Sequence, residues 1–269
     1  MTSAKVFDTS PTLSSPALPF GSPARRIPWG FLGALAGVTA LCWGWSLRMA
    51  TAGHHGLPLW ASLVMWTTMM VGMMVPPEVP TLIRLAGDGR IERWRAVRGA
   101  SALLGGYLGV WVLASAALAG LDAWLSGRGL MTHELASRSV PMNVAILAAA
   151  GLVQLSPWKT ACLARCRALG NVSLGEVSLG EVSNTFAGGA ARPLRSGLKH
   201  GLASVSSCGV LMLVLLVVGA MNWVAMAVLT GYLILERLVP APVAPRLGRA
   251  TGLGLLLWGG WLTLGTVVG

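Results

Sequence analysis

Seven stretches of the chain are apolar almost throughout, at about 29 to 49, 58 to 76, 98 to 121, 140 to 156, 201 to 220, 222 to 238 and 251 to 268. An α-helix needs roughly 20 such residues to cross ~30 Å of hydrocarbon at ~1.5 Å per residue. The fourth and sixth stretches are short and the last is rich in glycine, but each reads as a span. Lipid leaves only helices and closed barrels as solutions, and this hydropathy is helical. The expected fold is all-α, a polytopic transmembrane bundle of six to seven helices. Residues 1–28, rich in Ser and Pro, cannot bury a core and form a disordered tail before a single transmembrane domain over 29–269. The tail lacks the short apolar stretch and small-residue cleavage site of a removable signal peptide.

Composition supports this pattern. The chain has 269 residues, 54% hydrophobic and 11% charged, where a soluble domain carries about 25% charge. Its formal net charge of +11 would on its own suggest a nucleic-acid partner. The Lys and Arg residues instead fall between the apolar stretches, where they act as topology determinants, and no nucleic-acid binding is expected. Seventeen of the twenty lie in the tail and in alternate connections, with three on the other side. The positive-inside rule then places the N-terminus in the cytosol and the C-terminus outside a bacterial cytoplasmic membrane. A tandem VSLGE at 172 to 176 and 177 to 181 reads as a duplication in a surface loop. Gly105 and Gly109 form a small-xxx-small pair that could bring another helix close.

Away from their ends the spans hold no Asp, Glu, Lys or Arg. Ion-coupled carriers usually keep such groups inside the membrane, so a proton-coupled carrier is disfavoured. There is no HExxH or GxSxG pattern to suggest hydrolysis, and no enzymatic activity is expected. Specific chemistry would have to come from soft or neutral ligands.

The second span, WASLVMWTTMMVGMMVPP, is the first candidate. Met65, Met69 and Met73 recur every four residues, as do Met70 and Met74, giving two adjoining thioether stripes on one side of a helix. Thioether sulfur is soft and uncharged and suits Cu(I). Methionine also fills gaps between helices, so the stripes fit packing equally. Pro76, Pro77 and Pro80 are expected to end the helix sharply, at the cytosolic face.

QLSPWKTACLARCRALG, residues 154 to 170, is the second candidate. Cys162 and Cys166 share a helix face, and Lys159, Arg165 and Arg167 would favour their thiolates. Two thiols do not fill a zinc site and also fit as small buried residues. Cys208, expected where the fifth span leaves the cytosolic side, adds a third sulfur to the same membrane face. Three thiolates, or two with a thioether, could hold Cu(I); Zn(II) would want a fourth ligand, which His200 could supply unless it caps or hydrogen-bonds at the interface. Cys42 reads as packing, and His54, His55 and His133, on the outer side, are weak candidates for metal capture.

Three blocks, WTTMMVGMMVPPEVP (66 to 80), QLSPWKTACLARCR (154 to 167) and the run from Gly197 to Pro240, resemble the bacterial family of predicted metal-binding integral membrane proteins, a domain of unknown function sometimes labelled copper chaperone. They occur in the family's order and cover most of about 60–240. The resemblance implies metal ligation by Met69, Met70, Met73, Met74, Cys162, Cys166 and Cys208, and marks Lys159, His200 and the Met221–Asn222 turn as family features. Ser204 and Ser207 stand where the family pattern leads one to expect cysteines, and a hydroxyl is a poor ligand for a soft metal.

The leading expectation is a non-enzymatic soft-metal binder in the lipid bilayer, carrying Cu(I), with zinc as the alternative. It would receive metal from, or donate it to, a protein partner at the cytosolic face. A membrane transport pathway for a metal or small solute, and a structural or assembly protein with a vestigial site, are the other two readings.

Overall fold

The computed structural model describes residues 29–52, 58–86, 92–132, 135–172, 191–240 and 242–268. The N-terminal tail, most of the VSLGE duplication, and His54, His55 and His133 lie outside them. The described residues form helices α1 (Trp29–Ala52), α2 (Leu59–Ala86), α3 (Arg93–Gly127), α4 (Val140–Leu155), α5 (Pro157–Val172), α6 (Ala191–Met212), α7 (Val214–Val218), α8 (Trp223–Leu238) and α9 (Ala244–Val268). Among these residues the β-structure is confined to one isolated antiparallel bridge, Met131 with Ser137. Four helical runs are long and apolar enough to cross a membrane: α1 over Trp29–Met49, α2, α3, and α6 with α7 over Ala191–Val218. α4 and the first part of α5 would make a fifth, bent by 64°. The 16-residue α8 and the 25-residue α9 stand at the sixth and seventh expected spans.

The bend between α4 and α5 follows from one dipeptide. Pro157 has no N–H to extend α4 and forces Ser156 out of the helical region, to φ −70° and ψ 142°. The Ser156 hydroxyl then accepts from the Trp158 amide at 3.0 Å, starting α5. At α8 the side chain of Asn222 accepts from the amides of Val224 and Ala225, both at 3.1 Å. The Met–Asn turn is therefore a helix cap.

α2 departs from expectation. The three prolines lie inside the helix, which runs on to Ala86. Pro76 cannot donate to the carbonyl of Gly72, four residues back. That carbonyl accepts instead from the Trp43 indole N–H of α1 at 3.1 Å. Gly72 permits the approach: a Cβ there would stand 3.2 Å from the Cβ of Cys42. A neighbouring helix thus replaces a lost backbone bond, and the extra turns carry Glu78 into the bundle.

α2, α3 and α6 make the centre. α1 and α8 both pack against α2, α5 packs on α6, and α4 pairs with α9. The closest crossing joins α3 to α6. A Cβ on Gly106 would fall 2.2 Å from the Leu194 carbonyl oxygen, and one on Gly197 2.0 Å from that of Leu103. The small residues at the contact are thus Gly106, Gly197 and Gly201. The expected pair, Gly105 and Gly109, faces open space.

Candidate metal centre

Sulfur is concentrated in one place. Of twelve methionines in the chain, ten pack into a single core cluster together with Cys208. Met65, Met69, Met70, Met73 and Met74 of α2 are all buried, as are Met131, Met212 and Met226, while Met142 and Met221 pack against them. The two stripes on α2 therefore face inward, toward α3, α6 and α8. Trp66 and Trp111, also fully buried there, have indole N–H groups without a hydrogen-bond partner among the described residues.

One turn beyond Met74 the core becomes ionic. Glu78 of α2 is 2% exposed. Its Oε2 lies 2.8 Å from His200 Nε2 and its Oε1 2.9 Å from Arg237 Nη1. Arg237 also donates to the Ser204 hydroxyl at 3.1 Å, and the Tyr107 hydroxyl stands 3.2 Å from the same oxygen. Cys208 donates through its thiol to the Ser204 carbonyl at 2.9 Å. Next along α8, Glu236 meets Lys159 Nζ at 2.6 Å and accepts from the Tyr232 hydroxyl at 3.2 Å. Lys159 is 2% exposed and also donates to the side-chain carbonyl of Gln154. Arg167 donates to the Val239 carbonyl at 2.8 Å and to that of Glu236, taking up the last acceptors of α8. Two carboxylates thus face two basic side chains, Glu78 with Arg237 and Glu236 with Lys159, the pairing that lets such groups remain buried.

Ser204 connects this network to the thiols: its hydroxyl accepts from Arg237 and its carbonyl accepts from the Cys208 thiol. Cys162, Cys166 and Cys208 are all buried and unpaired. Met74, Tyr107, Ser207, Cys208 and Arg237 line one small cavity between α2, α3, α6 and α8, with Leu163 of α5 at its side.

Several expectations are corrected here. Ionisable groups are present inside the bundle: Glu78, Glu236 and Arg237, and in α3 also Asp122, which accepts from Ser62 at 2.9 Å. Glu78 was hidden by the supposed end of α2 at the prolines. The PPEVP segment within a longer apolar run was the available signal, and the pairing across 122 residues with His200 was not. Cys208 is the eighteenth of 28 residues in the run Ala191–Val218, near the middle of the span rather than at its cytosolic mouth. Lys159 is held by Glu236 and Arg165 is exposed, while Arg237 borders the cavity that Cys208 lines. His200 commits Nε2 to Glu78, while its buried Nδ1 has no hydrogen-bond partner among the described residues. Ser204 receives the Arg237 and Tyr107 side chains, a hydrogen-bonding role that a thiol performs poorly. Among the described residues no three His, Cys, Asp or Glu side chains are arranged to hold a metal ion. A tri-thiolate first shell is therefore not preassembled.

The architecture defines a class: an all-helical bundle with several helices able to cross a membrane, built around a buried junction of thiols, thioethers and paired charges. Residues 63–262 match the family model described as PpoB2, copper chaperone, and the chain belongs to that family. No curated protein and no solved structure matches it.

Proposed function

We propose that this protein is a multi-pass, non-enzymatic protein of the bacterial cytoplasmic membrane that binds Cu(I) as cargo and passes it to or from a partner protein on the cytosolic side. The observation that carries the reading is the gathering of ten methionines and Cys208 in one buried cluster, in a chain of a copper chaperone family. Thioether and thiolate ligands prefer Cu(I), a low-coordinate ion that needs fewer donors than zinc. Cys208 with Met74, which border one cavity, would form the inner part of the site. Met69, Met70 and Met73 extend it along α2, and Cys162 and Cys166 offer a second pair of sulfurs on α5. Arg237 offsets the negative charge that a thiolate brings into the bundle. His200, fixed by Glu78, orients that network. The charge bias of the connections puts the N-terminus in the cytosol and the C-terminus outside.

Metal content after anaerobic purification tests this. Wild type retains copper; Cys208→Ser and the pair Cys162→Ser/Cys166→Ser lose it, and Cys42→Ser does not. Wild type without copper, or variants that retain it equally, would refute the proposal. The same cluster favours a second reading, a thioether pathway through the bundle, because it extends from Met131 in the α3–α4 connection to Met74 near the ionic junction. Copper uptake into proteoliposomes, abolished by Met70→Leu/Met74→Leu, distinguishes transport from static binding.

A further inference from the structure

A copper carrier must uncover its thiols to exchange metal, yet Cys162, Cys166 and Cys208 are only 4%, 1% and 5% exposed. The element best placed to uncover them is α5. It meets α4 at a single joint, the 64° bend at Ser156–Pro157. It packs on α6 and buries one narrow face, Lys159, Cys162, Leu163 and Cys166, while Pro157, Trp158, Ala161, Ala164 and Arg165 are exposed. Two thiols and one leucine give such a helix little apolar hold. Polar ties to α8 supply the rest. Near the joint, Lys159 Nζ meets Glu236 at 2.6 Å; two turns on, Arg167 donates to the Val239 carbonyl at 2.8 Å. Leu163 lines the same small cavity as Cys208, so α5 lies over the inner thiol. A cleft of about 140 Å³, lined by Pro157 and Thr160 of α5 and by Ala244, Gly248 and Arg249 of α9, leaves the first turn of α5 without close packing against α9.

We propose that α5 is a hinged lid over the thiols. It swings about Ser156–Pro157 when its ties to Glu236 and Val239 let go, and uncovers Cys162, Cys166 and Cys208 together. Two of the three thiols ride on the lid, and the third lies behind it. An element held by few apolar contacts opens at a lower free energy than the core around it, here the methionine-rich packing of α2, α3 and α6. The purpose given to the motion, metal exchange with a partner, rests on the copper reading above; the motion itself needs no metal.

The test labels the cysteines of the full, metal-free chain in neutral detergent with an uncharged, water-soluble maleimide, each site followed over time by peptide mass spectrometry. Lys159→Met/Glu236→Gln removes one tie without leaving an unpaired charge. It should label Cys162, Cys166 and Cys208 roughly tenfold faster than wild type, because reaction through a transient opening follows the population of the open form. Arg167→Gln, which frees the other tie, should accelerate the same three. Cys42 lies on α1, which packs against α2, and should keep its wild-type rate throughout. Ala164→Gln, on the exposed face of α5, should label like wild type at every site. Wild-type rates in both tie variants, acceleration of Cys162 and Cys166 without Cys208, or equal acceleration of Cys42, the mark of general loosening, would each overturn the lid. Absence of copper from purified wild type would instead refute the copper reading, while the labelling, done without metal, decides the lid by itself.

Discussion

Arg237→Met isolates what the buried charges contribute. The substitution roughly preserves side-chain volume but removes a cation that contacts Glu78 at 2.9 Å and Ser204 at 3.1 Å. Glu78 would remain buried at 2% exposure with His200 as its one counter-group. Deleting one partner of a buried ion pair typically costs about 3–5 kcal/mol. Here His200 stays within hydrogen-bond distance of Glu78 at 2.8 Å and carries part of the load, so about 3 kcal/mol is the expected loss. Removing both charges, in Glu78→Gln/Arg237→Met, should recover about 2 kcal/mol of it, because the penalty is the unpaired charge more than the missing bond. Reversible denaturant unfolding of the detergent-solubilised chain, wild type beside the singles and the double, gives the coupling energy. A single variant within ~0.5 kcal/mol of wild type, or strictly additive effects, would refute the reasoning.

Trp43→Phe should cost about 1 kcal/mol by stranding the Gly72 carbonyl, and Pro76→Ala, which restores a backbone N–H, should make the same change nearly neutral; thermal unfolding of the four proteins checks this. Gly197→Ala should lower the yield of folded protein severely, since its Cβ would sit 2.0 Å from a backbone oxygen, whereas Gly105→Ala should stay within ~0.5 kcal/mol of wild type; size-exclusion recovery and unfolding midpoints separate them. Asn222→Ala should cost about 1 kcal/mol through loss of the α8 cap, measurable in the same unfolding assay.

The Met stripes illustrate how far the linear pattern reaches. Their four-residue spacing correctly made them one face of α2, and all five prove buried. Burial fits packing and ligation alike, so spacing could not choose between them. The prolines of α2 misled for a definite reason. The rule that proline ends a helix assumes no replacement donor, and the donor here, Trp43, comes from another helix. The same misreading put Glu78 outside the span and concealed the ionic junction. The conspicuous glycines, four residues apart on α3, were the wrong ones, because which face of α3 meets α6 depends on the whole bundle.

What the sequence alone determined is the kind of element: 54% hydrophobic residues with 11% charged ones, arranged in long apolar runs, give helices long and apolar enough to cross a membrane. It also determined where the chain bends and caps, at Ser156–Pro157 and Asn222, because those signals act over two or three residues. Only the tertiary structure decided which charges meet. Glu78, His200 and Arg237 lie on three helices far apart in the chain, and each is tolerable in the interior only because the others are there. Local patterns record the preference of a residue for its neighbours in sequence; a buried ion pair is an agreement between distant ones, and it exists only after the helices have packed.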